Sequence, residues 1–247
     1  LRKSNFALLA LLAVIGAWIA GELSNVHALA NLTLMASLTV TLILLYYYLR
    51  FEEKKSDAKN IAIIGTLAAL SVTGRCLFAA VPNVKPSTFI IIITGYVFGP
   101  LPGFMVGATT ALVSNFFFGQ GPWTIWQMLA WGLAGLVSGL LGPGRRLEGR
   151  WTLALYCAMW GLLFGWIMNL YFVLGFVRPI NFNSFFATYA ASSWFDALHA
   201  AGNFFFAFLL GASLVTMLRR YQARFFFETV ADPRGPVARV DDAEISA

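Results

Sequence analysis

Arg75, Asn83, Lys85 and Thr88 fall in one short stretch of the chain, and Asn115, Gln120, Trp123, Trp126 and Gln127 fall in another. His199 stands in a third, between Asp196 and Asn203. Cations, amides, a hydroxyl, an imidazole and indoles are groups that bind a small molecule. A few polar groups orient such a ligand, and aromatic faces supply contact area. These residues are the candidate substrate-binding set.

Enzyme chemistry finds little support. His199-Ala200-Ala201-Gly202-Asn203 fits the HxxxN half of an intramembrane serine protease pattern, but Gly135-Leu136-Val137-Ser138-Gly139 has the wrong spacing for its GxSG partner. There is no paired aspartate motif for prenyl transfer and no GxxxxGK[ST] sequence, so the chain does not hydrolyse ATP by that machinery. Cys76 and Cys157 lack both disulfide and metal-ligand spacing and read as small buried side chains. No metal site and no catalytic residue are predicted.

The elements that must position the candidate set are membrane helices. Of 247 residues, 59% are hydrophobic and only 11% charged, against about 25% charged in a soluble domain. The apolar runs are continuous rather than alternating, which selects helices over a barrel. The net charge of +6 does not imply nucleic acid, because Lys and Arg sit at the ends of apolar runs, as topology signals do. The partner this implies is the lipid bilayer. The first run, Ser4 to Gly21, follows Arg2 and Lys3 like a signal peptide. Trp18 and Glu22 replace a small-residue cleavage site, so it reads as a retained helix.

Eight helices are predicted, near Asn5 to Gly21, Ala28 to Leu49, Asn60 to Ala80, Ser87 to Phe98, Gly103 to Phe118, Thr124 to Leu141, Trp151 to Phe176 and Phe195 to Leu218. Tyr46, Tyr47 and Tyr48 end the second as an aromatic belt. The segment from Ser87 to Phe98 is too short to span alone; it is either completed by its loop or paired with the next helix as a re-entrant hairpin. The domain reading is residues 1–50 as two N-terminal transmembrane helices and 51–59 as a charged cytoplasmic linker. Residues 60–218 form a six-helix core containing a polar, aromatic loop from Arg178 to Trp194, and 219–247 form a mobile cytoplasmic tail. Arg2, Lys3, Arg50, Lys54, Lys55, Lys59, Arg145, Arg146, Arg150, Arg219, Arg220 and Arg224 fall on one side of eight crossings, and Arg75, Lys85 and Arg178 on the other. By the positive-inside rule both termini are cytoplasmic, and the candidate set gathers near the outer leaflet.

Each candidate also has a plainer reading. Trp123 and Trp126 could serve as interface anchors, Arg75 as a snorkelling helix-end charge, Asn115 as an interhelical hydrogen bonder and His199 as a packed histidine. What favours a pocket is their clustering at one end. Small residues recur at four-residue spacing in Gly103, Gly107 and Ala111, in Gly135 and Gly139, in Gly161 and Gly165, and in Gly65 and Ala69. Such faces let helices approach closely. Most of them pack internally, and one could dock another membrane protein.

The stretch from Gly74 to Gly135 resembles the substrate-binding S components of energy-coupling factor (ECF) transporters. The resemblance is carried by Gly74-Arg75, Pro82-Asn83-Val84-Lys85-Pro86-Ser87-Thr88, Gly95-Tyr96-Val97-Phe98-Gly99-Pro100, Gly103, Ser114-Asn115 and the run Gly119 to Met128. It implies an all-α integral membrane fold, an S-component-like six-helix core preceded by two extra transmembrane helices. It also implies capture of a vitamin outside the cell for uptake with a transmembrane scaffold and two cytoplasmic ATPases. The Pro-Asn-Val-Lys-Pro and Gly-Gln-Gly-Pro-Trp-Thr segments look most like cobalamin-type members, so cobalamin is the expected ligand; no other cofactor is implied. In the family a small-residue face on the first core helix meets the scaffold, here Ala62, Gly65 and Ala69. The alternatives are a membrane enzyme acting on a lipid or isoprenoid, and a helical assembly partner without a ligand.

Overall fold

The computed structural model describes residues 2–23, 32–54, 58–142 and 146–225. Among them are eight helices and no strands: α1 (Lys3–Leu23), α2 (Leu32–Glu53), α3 (Ala58–Leu77), α4 (Ser87–Phe98), α5 (Pro100–Phe118), α6 (Trp123–Leu141), α7 (Arg150–Phe176) and α8 (Phe182–Phe225). Seven are long and apolar enough to cross a membrane; α4 is the short one. The protein is therefore an all-α, multi-pass membrane protein.

The short helix sits at the centre. Every residue from Ser87 to Val97 is buried, so α4 meets protein on all sides and needs no lipid-facing length. Its 12 residues rise about 18 Å. Ser87 Oγ donates to the Ser71 carbonyl at 3.0 Å and ties its start to α3, where Gly74 packs on the Pro86 ring. At its other end the Val97 carbonyl accepts from Gln222 Nε2 at 3.0 Å. That end also holds the Arg219–Glu148 ion pair.

Glycines set the distances between helices. A Cβ on Gly95 or Gly103 would lie 2.0 or 2.5 Å from the Gly135 carbonyl oxygen, and one on Gly107 would lie 2.2 Å from that of Trp131. One on Gly139 would strike the Gly99–Pro100 backbone. The α4, α5 and α6 backbones thus touch along a seam that excludes side chains. Gly161 does the same for α7 against the Ala200 backbone of α8, and Gly165 makes room for the Asp196 carboxylate.

The α1–α2 pair leans on this core through α2. Tyr47 stacks on Phe104 with centroids 4.1 Å apart, so it packs inward rather than serving as a belt. Glu53 accepts from the Ser4 backbone and hydroxyl at 2.7 and 2.6 Å, and Lys3 pairs with Glu52 at 2.7 Å. These contacts join the start of α1 to the end of α2.

Two expected boundaries are corrected. The segment from Arg178 to Trp194 is not a loop, because α8 starts at Phe182. Asn181 and Ser184 cap it reciprocally: Ser184 N donates to Asn181 Oδ1 at 2.9 Å and Asn181 N to Ser184 Oγ at 3.1 Å. No Pro or Gly then occurs before Gly202, so nothing breaks the helix. Charge likewise does not end α8 at Leu218; Arg219 to Phe225 continue it. The start of the second helix before Leu32, residues 55–57 of the linker, Arg145 and residues 226–247 of the tail lie outside the described residues.

Candidate ligand-binding site

Arg75 stands in the last turn of α3 and is buried. Its Nη1 donates to Ser114 Oγ and, at 2.8 Å, to Asn115 Oδ1, both on α5. The Phe118 and Trp131 rings lie against the guanidinium, 4.6 and 4.9 Å from Cζ to centroid. Among the described residues no carboxylate pairs with Arg75, unlike Lys3 with Glu52 or Arg219 with Glu148. A cation held at depth by neutral acceptors and ring faces is costly unless it serves a function.

Asn115 carries the network onward. Its Nδ2 donates to Thr124 Oγ1 at 2.9 Å and to Gln127 Oε1 at 2.7 Å, both on α6. The Thr124 hydroxyl donates to Gln120 Oε1 at 2.9 Å, and Gln120 Nε2 donates to the Leu112 carbonyl at 2.8 Å. The chain can reverse this tightly because Gly119 takes a φ of 100°, a conformation open to glycine and strained for other residues. That turn lays the first turn of α6 beside the last turn of α5.

A second group adjoins the first through Trp131. Its Nε1 donates to Thr88 Oγ1 at 2.9 Å. An indole nitrogen can only donate, so Thr88 accepts there, and the same hydroxyl is hydrogen-bonded to His199 Nε2, 2.9 Å away. Phe164 stacks on Trp131 at 4.8 Å and meets the His199 ring edge-on at 5.1 Å. Lys85, in the loop before α4, places Nζ 5.1 Å from the Phe118 centroid. Partial burial, reinforced by the Arg75 charge, pushes its ammonium below the ordinary lysine range.

The structure thus brings Arg75, Lys85, Thr88, Asn115, Gln120, Gln127 and His199 into one connected cluster. It does not bring in the rest. Asn83, at a left-handed φ of 53°, spends its amide on the Phe195 carbonyl at 3.0 Å and ties the loop to α8. Trp123 is exposed beside Gly121. Trp126 is buried against Tyr171, with centroids 5.8 Å apart, and its Nε1 has no partner. Ser114, Thr124, Phe118, Trp131 and Phe164 belong to the cluster and were not in the candidate set. Ser114 and Thr124 carried a signal, as polar residues flanking the Gly119 turn, whereas Phe164 carried none. Ala62, Gly65 and Ala69 all lie on the exposed face of α3, and a Cβ on Gly65 would meet nothing within 4 Å.

The model of the family described as "ECF-type riboflavin transporter, S component" matches residues 55–220. The chain belongs to this family of ECF transporter S components. The match runs from the start of α3 to near the end of α8 and leaves α1 and α2 outside. Three similar proteins are each named "UPF0397 protein". The one from Vibrio atlanticus is 34% identical over 89 residues, 34% of this chain and 48% of that protein. The one from Aliivibrio salmonicida is 31% identical over 99 residues, 37% of this chain and 54% of that protein. The one from Aliivibrio fischeri (strain MJ11) is 31% identical over 89 residues, 34% of this chain and 48% of that protein. The chain spans about half the length of the curated relatives it matches. No solved structure matches it. A family of transporter S components replaces the reading of a lipid or isoprenoid enzyme. The cobalamin expectation finds no support, since the matched family is named for riboflavin; it rested on two short segments whose residues serve turns and loop ties as much as a ligand.

Proposed function

We propose that this chain is the substrate-capturing subunit of an ECF importer, and that it takes riboflavin, or a flavin close to it, from the outer side of the membrane. One observation carries the reading: the buried cluster that joins Arg75, Asn115, Gln127, Thr88 and His199 through the Trp131 and Phe118 rings. Ring faces match a flat heterocycle, and the guanidinium, amides and imidazole match its carbonyls and ring nitrogens. Family membership supports the same reading.

Transport then needs partners. A transmembrane scaffold docks on the α3 face of Ala62, Gly65 and Ala69, and two cytoplasmic ATPases supply the ATP hydrolysis. Orientation follows from charge. The end holding Lys3, Arg50, Arg150 and Arg219 faces the cytoplasm, and the end holding Arg75, Lys85 and Arg178 faces outward. Mass spectrometry of small molecules extracted from the purified protein tests the reading. Riboflavin or a flavin in near-stoichiometric amount is the expected result; a reproducible non-flavin ligand would overturn the flavin assignment.

A further inference from the structure

Asn203 is fully buried in α8, yet neither its amide nitrogen nor its amide oxygen has a hydrogen-bond partner. Burying an amide without partners is costly, and leaving both atoms unpaired is more so. The side chain is well placed for a ligand. Asn203 follows His199 by one helical turn, so the two share a face, and His199 already bonds Thr88 of α4. Its neighbour Gly202 lies against Val84, where a Cβ would come within 3.0 Å, so the Lys85 loop crosses α8 at this level. The amide therefore shares a face of α8 with His199, the residue that joins the Thr88–Trp131 group.

We propose that Asn203 is a specificity-determining residue, whose amide reads a ligand edge carrying an N–H beside a C=O. A primary amide offers one donor and one acceptor side by side, and the complementary partner is a lactam or imide edge. This deepens, and rests on, the flavin reading: the pyrimidinedione end of the flavin ring presents such an edge at N3–H and its flanking carbonyls. A site built to hydrogen-bond a group rejects the analogue that lacks it far more strongly than an apolar pocket does.

The test pairs a ligand change with a residue change. Riboflavin and 3-methylriboflavin, which lacks the N3–H donor, are titrated against the wild type and Asn203→Leu by flavin fluorescence, and the thermal midpoint of each protein is measured without ligand. Methylation should weaken wild-type binding by about tenfold or more. In the Asn203→Leu protein riboflavin should bind at least as weakly as the methylated flavin binds the wild type, and the two flavins should bind alike. The unliganded Asn203→Leu protein should be as stable as the wild type or more so, because an unpaired buried amide is gone. Equal discrimination between the flavins in both proteins overturns the inference and leaves the flavin reading standing. Failure of the wild type to bind riboflavin overturns both. If Asn203→Leu does not fold, the smaller Asn203→Ala, which offers neither donor nor acceptor, takes its place, and retained discrimination there also overturns the inference.

Discussion

Replacing Gly135 by Ala probes the seam that holds the site together. A Cβ there would lie 2.1 Å from the Gly103 carbonyl oxygen, 2.3 Å from its carbon and 2.9 Å from its Cα. These are backbone atoms of α5, which cannot rotate aside as a side chain can. Ordinary contact begins near 3.5 Å, so α5 and α6 must separate by roughly 1 Å. The Asn115–Gln127 and Asn115–Thr124 bonds, now 2.7 and 2.9 Å, would stretch beyond the useful range. Overpacking of this kind costs about 3 kcal/mol, at the upper end of the usual span. The better helix propensity of Ala over Gly returns about 1 kcal/mol. A net loss of about 2 kcal/mol should lower the thermal midpoint in detergent by roughly 4–8 °C for a chain of this size. Gly65→Ala is the control, since nothing lies within 4 Å of its Cβ; its midpoint should hold or rise slightly. Equal midpoints for Gly135→Ala and the wild type would refute the argument that backbone contact along this seam sets the helix spacing.

Arg75→Ala should weaken flavin binding by about tenfold or more, the worth of a charge-assisted hydrogen bond. Arg178→Ala should leave it nearly unchanged, because that guanidinium only donates to the Leu174 and Val177 carbonyls at the end of α7; calorimetric titration compares them, and equal losses would reduce Arg75 to a structural charge. Gly65→Leu should abolish copurification with the scaffold while preserving ligand affinity, since a smooth face is needed for helix docking, and intact copurification would reject that face. A reporter fused after Ala247 should be active only in the cytoplasm; activity outside would reverse the proposed orientation.

Helix identity was legible because composition and glycine breaks are strong signals in a membrane chain. The bounds of α4 agree with the structure, and the Gly99 and Gly119 breaks fall where the chain turns with a φ of 100°. Polarity misled at both ends of α8, because a long helix that extends past its neighbours can carry Asn, Ser and Arg without ending. Four-residue glycine spacing located close contacts but did not say which was open. Only coordinates separate the filled seams at Gly103, Gly135 and Gly161 from the open face at Gly65. The candidate site was half legible for a similar reason. Arg75 and Asn115 stood out as costly polar groups in apolar runs. Trp131 reads identically as an interface anchor or as a hydrogen-bond donor to Thr88, and Phe164 is one of 23 phenylalanines. Asn83 looked like a ligand group and is a loop tie, a distinction set by its left-handed backbone and by Phe195, distant in sequence.

The proposed flavin capture needs only the membrane subunit, without scaffold or ATPases. Purified protein titrated into riboflavin should quench flavin fluorescence saturably and at one ligand per chain, since the ring would lie among indole and phenyl faces, and Arg75→Ala should shift that curve to higher concentration. Fluorescence that stays constant up to protein concentrations well above that of the flavin would contradict it.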